Sequence, residues 1–554
     1  LDPARVSARA TRKIAEKLAG IAKTLEGAGH DPERVAGFLT RCLFCMFAED
    51  VGLLPKDSFS DLLDSLKNTP EQFVPLVTAL WQEMDVGGFS VILRQVLPRF
   101  NGKLFKTPDV LPLNRDQIGL LREAARADWT LVEPAIFGTL LERALDPGER
   151  HSLGAHYTPR AYVERLVLPT VIEPLRAEWA NALAAALMLA HEATALEINP
   201  PATPSVQDFA GLSSQEVAAL NASHRDERDK HQAAVRAKWR EARQQVKVFL
   251  HRLCTLRVLD PACGSANFLY VTLEHLKRLE GEVLNQLDAL GETQDALDLG
   301  RETVNLQQLR GIELNQRAAA LAELVLWIGY LQWHIRTQGN AAVAEPVVHD
   351  YGNIEHRDAV LAYERTEPMV DAAGQLVTRW DGTRFKPHPV TGQPVPDEAA
   401  QVPQWRYVNP RPADWPQADF IVGNPPFLGN KKMLTELGQV TTEAMRNLFK
   451  GRLPGGVDLV IYWFERARAH IDSGNCQRAG LVSTQAIRKG SNRAVLERIV
   501  AAAVRLFAAK GFEATPVSEI AAEAGVPIGT VYQRFADKSA ILQTIIEGFR
   551  TLRM

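Results

Sequence analysis

The sequence predicts an α/β protein in which a doubly wound parallel sheet follows a helical segment and precedes a small all-α segment. Short apolar runs separated by helical stretches are typical of the buried strands of such a sheet. Residues 1–150 place apolar side chains at helix spacing, and residues 498–554 alternate amphipathic helices with short turns. The apolar runs are 256–259, 309–312, 420–422 and 479–482.

The length of 554 residues exceeds what one hydrophobic core supports, so several domains are expected. The change of pattern along the chain divides it into a helical domain at 1–150, an α/β domain at 151–497 and a helical domain at 498–554. Helices are also predicted across 176–253, before the first strand. The Pro- and Gly-rich insertion 366–417 is expected to be a surface excursion near the site rather than sheet.

The composition is that of an ordinary soluble globular protein, with 46% apolar and 23% charged residues. The net charge of -3 gives no overall basic signal, so any nucleic acid would be bound by local patches. The five cysteines are irregularly spaced, and neither a signal peptide nor an apolar run of about 18 residues is present. These features predict a cytoplasmic protein that does not span a membrane.

A Cys-x-x-Cys pair, Cys42 and Cys45, lies on the apolar stripe of a helix that Asp31 caps and Pro32 begins. Such a pair is a candidate metal site, but a tetrahedral site needs a second Cys or His pair, and none lies nearby in the sequence. We therefore predict that both thiols pack in a helix interface and that the protein binds no metal.

The strongest local feature is the segment 258–269, in which a hydrophobic strand runs into a turn of small residues and then a helix. Small residues there let backbone amides approach a ligand closely at the carboxyl end of the strand. Asp260, at that end, is placed to accept a hydrogen bond from a cationic or amino group. An ordinary strand–turn–helix connection is the alternative for a glycine turn taken alone.

The next predicted strand ends in an acid, Glu313, within Gly311-Ile-Glu-Leu-Asn315. A carboxylate at the end of the second strand can accept the two hydroxyls of a ribose. Taken alone, Glu313 would be interpreted as a surface carboxylate, so its significance depends on the glycine turn that precedes it.

The third feature is the segment Asp419–Phe427, where a strand delivers an asparagine, two prolines and an aromatic residue. An exocyclic amine such as adenine N6 is a poor nucleophile, because its lone pair is delocalised into the ring. The side-chain oxygen of Asn424 and the carbonyl of Pro425 can accept its two N–H bonds and draw the nitrogen towards sp3 geometry. Pro425 and Pro426 fix the backbone, and Phe427 can stack on a base rotated out of the duplex. The alternative is an edge strand that ends in proline.

These segments resemble motifs I, II and IV of the amino-methyltransferases, and Asn-Pro-Pro-Phe at 424–427 resembles the form that points to adenine N6. The resemblance implies a class I (Rossmann-like) methyltransferase sheet, the cofactor S-adenosylmethionine, and double-stranded DNA as partner. It makes Asn424, Pro425, Pro426 and Phe427 the catalytic group. The cofactor contacts that it implies in these motifs are Asp260, Ala262, Gly264, Asn267, Glu313 and Asn424.

Two further segments resemble motifs of the same family. Gly154-Ala-His-Tyr-Thr-Pro159 is similar to motif X, which precedes motif I in the gamma-type order. By that similarity, Tyr157 and Thr158 help to hold the methionine end of the cofactor. Asn353-Ile-Glu-His-Arg-Asp358 is similar to motif III, which makes Asp358 a candidate contact for the cofactor's adenine.

More narrowly, residues 1–497 resemble the MmeI-like methyltransferases of type IIL restriction–modification systems. The helical spacer and later motifs of that family are matched by 47–55, 458–464 and 480–487. Ala266 stands where the family usually has glycine, and its methyl group is expected to crowd the cofactor slightly. No nuclease-like segment precedes the spacer, so DNA cleavage is not predicted. The last strands of the sheet and the target recognition domain are expected to be missing after Val482.

Residues 498–554 have the layout of a helix-turn-helix. Thr515-Pro516 start a helix, Gly525-Val526 make a sharp turn, and Pro527 opens the next helix. The stretch closely resembles the DNA-binding domain of TetR-type repressors, which implies contact with DNA and a dimer formed through this tail. The residues that the resemblance places on DNA are Thr530, Tyr532 and Lys538. An ordinary three-helix cap is the alternative.

Two functions of different kinds follow from these patterns. The first is methyl transfer from S-adenosylmethionine to adenine N6 in DNA, by direct in-line attack without a covalent enzyme intermediate. The second is a DNA-binding, regulator-like fusion protein whose methyltransferase part is impaired by truncation. A complete restriction–modification enzyme ranks last, because no nuclease site is visible.

Overall fold

The structure is a computed structural model that describes most of the chain between residues 3 and 545. Two of the proposed site residues, Tyr157 and Thr530, lie outside the described part, and so do residues 154–156 and 484–487 of the matched motifs and the predicted turn residues Gly525 and Pro527. The described residues are 3–100, 103–129, 132, 134, 158–292, 302–338, 352–380, 384–388, 393–483 and, in the tail, 504–505, 511–512, 515–524, 526, 531–532, 535, 537–542 and 545.

The segment 3–125 folds chiefly as helices around an apolar core, as the helix spacing predicts. The cap predicted for the second helix is present, because Asp31 Oδ1 accepts a hydrogen bond from the backbone N–H of Arg34 at 3.2 Å. The elements are α1 (Pro3–Gly27), α2 (Pro32–Asp50), α3 (Ser58–Leu66), α4 (Phe73–Val86), β1 (Gly88–Ser90), β2 (Gln95–Leu97), α5 (Lys103–Lys106) and α6 (Arg115–Ala125).

The Cys-x-x-Cys pair packs inside this helical core, as predicted. Cys42 and Cys45 are both fully buried, and Cys45 Sγ lies 3.9 Å from Met84 Sδ. Burial raises the pKa of both thiols, which keeps them protonated and chemically inert.

A long helical hairpin precedes the sheet and confirms the helices predicted for 176–253. It follows the short helix α7 (Arg160–Val167) and consists of α8 (Glu173–Ile198) and α9 (Ser214–Thr255). The ion pairs Glu178–Arg252 and Glu192–Lys238 join the two helices in reverse order, so they run antiparallel. The end of α9 therefore returns to the body of the protein, where the first strand of the sheet begins.

The centre of the α/β region is a parallel sheet, as predicted. Its spatial order is β15-β14-β3-β4-β5, so the first strand of the sheet, β3, lies in the middle. The chain continues from β3 through β4 to β5 on one side and then crosses to β14 and β15 on the other side, so the strand order reverses at β3. Open α/β sheets bind ligands at such a switch point. The strands are β3 (Val258–Asp260), β4 (Leu309–Glu313), β5 (Ile354–His356), β14 (Phe420–Gly423) and β15 (Arg478–Leu481).

Helices cover both faces of this sheet. Alternate strand residues point to opposite faces, and Val258 and Leu259 accordingly belong to two different apolar clusters. The cluster that contains Val258 also holds α10 (Asn267–Ala289) and α11 (Gln316–Gln338). The cluster that contains Leu259 also holds α14 (Val460–Asp472). Two shorter helices, α12 (Asn430–Glu436) and α13 (Gly438–Leu448), lie between β14 and α14 in the chain.

The insertion 366–417 departs from its prediction. Its described residues are mostly exposed, as expected of a surface excursion, but the expectation that it contains no sheet is wrong. Four antiparallel strand pairs run along it as a β-arm, and prolines within the strands hid this ladder from the sequence pattern. The pairs are β6 (Leu361–Ala362) with β13 (Arg411–Pro412), β7 (Arg365–Pro368) with β12 (Trp405–Val408), β8 (Thr378–Trp380) with β11 (Gln401–Pro403), and β9 (Phe385–Pro387) with β10 (Pro394–Pro396).

The described part of the tail contains the helix α15 (Val517–Glu523), which follows Thr515-Pro516 as predicted. Asp537 Oδ1 accepts a hydrogen bond from Ala540 N at 2.7 Å, as a helix cap does. The predicted helix 528–535 lies largely outside the described residues. Across the described chain as a whole, no helix is both long and apolar enough to cross a bilayer.

Candidate active site

Asp260, the last residue of the central strand, is fully buried. Its Oδ1 accepts a hydrogen bond from the backbone N–H of Ala262 at 3.1 Å, whereas its Oδ2 has no partner among the described residues. Burial raises the pKa of this carboxyl to about 8. An unpaired buried carboxyl oxygen is costly unless a ligand completes its hydrogen bonds.

The turn after Asp260 depends on left-handed backbone. Gly264 has φ +54°, and a side chain there would meet no atom within 4 Å, so the backbone conformation is what favours glycine at that position. Ala266 has φ 63° immediately before α10 and is fully buried. The glycine usual at this position is therefore explained by its backbone angle. The expected crowding of the cofactor by the Ala266 methyl group is not needed to explain it.

Glu313, at the end of β4, holds this turn in place. Its two carboxylate oxygens accept hydrogen bonds from the backbone N–H groups of Gly264 at 2.9 Å and Asn315 at 2.8 Å. Burial raises its pKa, although these two bonds act in the opposite direction. Each carboxylate oxygen retains a lone pair for a further donor, such as a ribose hydroxyl.

Asn424 follows β14 at the same edge of the sheet. The strand β14 lies beside β3, and a Cβ atom added to Gly423 would lie 2.4 Å from Asp260 Oδ1. The absence of a side chain at Gly423 therefore lets the two strand ends approach each other. Asn424 Nδ2 donates to Thr158 Oγ1 at 2.9 Å, while its buried Oδ1 has no partner among the described residues.

Thr158 links the two halves of this edge. Its backbone carbonyl accepts a hydrogen bond from Asn267 Nδ2, at the first turn of α10. Asn267 Oδ1 is also buried without a partner among the described residues. Three side-chain oxygens, those of Asp260, Asn267 and Asn424, are thus left unpaired within one connected group of described residues.

The remaining residues of the predicted site lie on the adjoining loops. Pro425 is buried, whereas Pro426 and Phe427 are half-buried. Asp358 follows β5, and its Oδ1 accepts hydrogen bonds from the backbone N–H groups of Val360 and Leu361. Burial raises the pKa of this carboxyl. In the part of the chain that the structure describes, no cluster of His, Cys, Asp and Glu is arranged to hold a metal ion.

Two residues that support the site, Trp463 and Asp458, were not among the site residues proposed from the sequence. Trp463 Nε1 donates to the carbonyl of Pro261 at 2.9 Å, so α14 supports the turn after Asp260. Asp458 Oδ1 accepts from the backbone N–H of Asn430 at 2.9 Å and fixes the chain that leaves Phe427. Both residues fall in the segment 458–464, so its likeness to a later family motif was the signal that could have found them.

Family comparisons agree with this geometry. The family described as "MmeI, DNA-methyltransferase domain" matches residues 236–540, which is more than half of the chain. The chain belongs to the MmeI DNA-methyltransferase family. The family described as "MmeI, helicase spacer domain" matches residues 33–105, within the helical segment.

The matches to two individual proteins extend over most of the chain. DNA methyltransferase A of Bacillus subtilis (strain 168) is 23% identical over 498 residues, which are 87% of this chain and 44% of the relative. The structure of the type IIL restriction–modification enzyme MmeI in complex with DNA superposes with a TM-score of 0.54 at 24% identity, covering 88% of this chain and 52% of MmeI. The chain thus spans about half the length of these relatives.

The tail has a separate relative. An uncharacterised HTH-type transcriptional regulator of Bacillus subtilis (strain 168), YerO, is 43% identical over 58 residues, or 10% of this chain and 20% of the regulator. The methyltransferase family match also extends into the tail, as far as residue 540.

The close approach at Gly423 gives a first prediction. Gly423→Ala is expected to lower the free energy of unfolding by about 2 kcal/mol, because the methyl group overlaps a buried carboxylate that cannot move aside. Gly429→Ala is the matched control: Gly429 has φ -65°, and its added Cβ would lie 3.8 Å from the nearest atom, Asp458 Oδ1. Urea unfolding measures both variants. Equal losses in the two would contradict the close approach.

The raised pKa of Asp260 gives a second prediction, for the ligand-free protein. The folded-state pKa of about 8 exceeds the unfolded value of about 3.9, so this carboxyl stabilises the fold at low pH and loses that contribution as pH rises towards 8. Asp260→Asn stays neutral throughout. The melting temperature of Asp260→Asn minus that of the parent should therefore increase from pH 5 to pH 9. Glu313 and Asp358 are present in both proteins, and the charge of Glu313 is one cause of the raised pKa of Asp260. A difference independent of pH would refute the assignment.

Proposed function

We propose that this chain transfers a methyl group from S-adenosylmethionine to the N6 amine of adenine in double-stranded DNA. The observation that carries the proposal is that Asp260 and Asn424 lie at adjacent strand ends at the switch point, each with a buried oxygen that has no partner among the described residues. Membership of the MmeI methyltransferase family supports the reaction class. The DNA bound in the MmeI complex supports the partner.

The residues of the turn fit the proposed cofactor. Asp260 Oδ2 is a buried acceptor suited to the ammonium group of the methionine end, and that cation favours the ionised carboxylate. Glu313 is placed for the ribose hydroxyls, and Asp358 is proposed for the adenine of the cofactor. Tyr157 and Thr158 are assigned to the methionine end by resemblance alone. When bound, S-adenosylmethionine supplies a methyl group that its sulfonium already activates.

The asparagine loop is proposed to prepare the target amine. Asn424 Oδ1 accepts one N–H of the amine and the Pro425 carbonyl accepts the other, which localises the lone pair on nitrogen. Phe427 stacks on the extruded base, and Pro426 keeps the loop rigid. The amide of Asn424 is too weak a base to remove a proton, so the methylated nitrogen releases its proton to water. Positioning supplies most of the rate.

A second candidate function concerns the tail. Its 43% identity to a transcriptional regulator over 58 residues favours a DNA-binding unit, in which Thr530, Tyr532 and Lys538 contact DNA and the tail pairs two chains. Tyr532 is exposed. Lys538 Nζ donates to the carbonyl of Phe512 at 2.8 Å and lies over its ring, so DNA would have to compete for that ammonium group. In this alternative the methyltransferase part is inactive.

The third prediction tests the first candidate directly. Purified protein should transfer labelled methyl groups to DNA, and mass spectrometry should find N6-methyladenine. Asn424→Ala should lower the rate roughly 100-fold or more, the scale seen when one preorganised polar contact to a reacting group is lost. Its affinity for S-adenosylmethionine, measured by calorimetry, should stay nearly unchanged. Asn447→Ala, on the exposed side of α13, is the control and should keep full activity.

Two outcomes would count against the proposal. Methylation on cytosine would refute adenine as the target. A folded parent chain that transfers no methyl group but retains DNA affinity would favour the second candidate.

A further inference from the structure

The two ends of the Asn424 amide have different surroundings. Its Nδ2 donates to Thr158 Oγ1 at 2.9 Å, and its Oδ1 is buried with no partner among the described residues. An amide presents two N–H donors at one end and an acceptor at the other. The target amine is itself a hydrogen-bond donor. If the Asn424 amide were rotated so that its NH2 group faced the amine, two donors would face each other and no hydrogen bond could form. The orientation of the amide therefore decides whether Asn424 can act.

Thr158 is itself held firmly. Its carbonyl accepts from Asn267 Nδ2, which ties it to the start of α10. Two residues later, Arg160 Nη2 lies 2.7 Å from Glu274 Oε2, also on α10, and Arg160 Nε lies 2.8 Å from Glu164 Oε1. The hydrogen bond to Asn267 and the ion pair with Glu274 hold the segment that carries Thr158 against α10, the helix that follows the turn after Asp260.

The chain after α7 is fixed on its other side by the edge strand of the sheet. A Cβ atom added to Gly480 in β15 would lie 2.4 Å from Thr170 Oγ1 and 3.1 Å from Leu166. The backbone of β15 is thus in close contact with this segment. Thr158 consequently leads into a segment held from two directions, which suits it to orient a neighbouring side chain.

We propose that Thr158 is a positioning residue, whose side-chain hydroxyl anchors the amide of Asn424 beside the target amine, and that Asn267 holds Thr158 for this task. The inference rests on the proposed function and deepens it. The family resemblance assigns Thr158 to the methionine end of the cofactor. In this structure, its side-chain hydroxyl accepts a hydrogen bond from Asn424 Nδ2.

The fourth prediction removes only this hydroxyl. Thr158→Val keeps the shape of the side chain and should lower kcat for methyl transfer roughly tenfold or more, because the amide of Asn424 loses the hydrogen bond that anchors it. The KM and Kd for S-adenosylmethionine should stay within about threefold. Thr158→Ser restores the hydroxyl and should recover most of kcat. Thr272→Val is the matched control, since Thr272 is fully buried in α10 and donates to the carbonyl of Phe268 at 2.7 Å.

Several results would overturn the inference. They are an unchanged kcat in Thr158→Val, a tenfold loss of cofactor affinity in that variant, and a failure of Thr158→Ser to recover activity. A parent chain without activity would contradict the proposed function instead. The affinity of Thr158→Val for S-adenosylmethionine would still be informative in that event, because a tenfold loss would assign the hydroxyl to the cofactor.

Discussion

The contact between the carboxyl ends of β3 and β14 is the constraint on which the site depends. Asp260 and Asn424 come from distant parts of the sequence, and they lie at adjacent strand ends because these strands are neighbours and because Gly423, next to Asn424, has no side chain to collide with Asp260. The sheet order makes this the switch point, so helices diverge on either side and leave the edge open to a ligand. The rest of the molecule stabilises this meeting point.

The surrounding contacts divide between the turn after Asp260 and the loop after Asn424. Glu313 and Trp463 hold the turn through backbone groups, from β4 and α14 respectively. Thr158 and Asp458 hold the residues before and after the proline pair. The oxygens of Asp260 and Asn424 that lack a partner among the described residues are the ones to which a ligand is proposed to donate. A preorganised polar site has this character, since its buried groups are paired except where they act.

The sequence predicted the sheet well where strands are buried on both faces, because a continuous apolar run such as that ending at Asp260 is typical of a central parallel strand. The strand β5 was not predicted, since only Ile354 of its three residues is buried. The β-arm was missed because its short, exposed strands contain proline and carry no apolar period. Hydrogen bonds between side chains of distant segments could not be predicted from the sequence either. Thr158 and Asn424 lie 266 positions apart, and no local pattern pairs them.

The most direct test of the central claim is a crystal structure of the chain with S-adenosylmethionine or its demethylated product. We expect the amino-acid end of the ligand to complete the hydrogen bonds of Asp260 Oδ2. We also expect the ligand sulfur to face the space in front of Asn424 Oδ1, which stays free for the base. A ligand bound elsewhere, or one that leaves Asp260 Oδ2 unpaired and occupies Asn424 Oδ1, would contradict the proposed site.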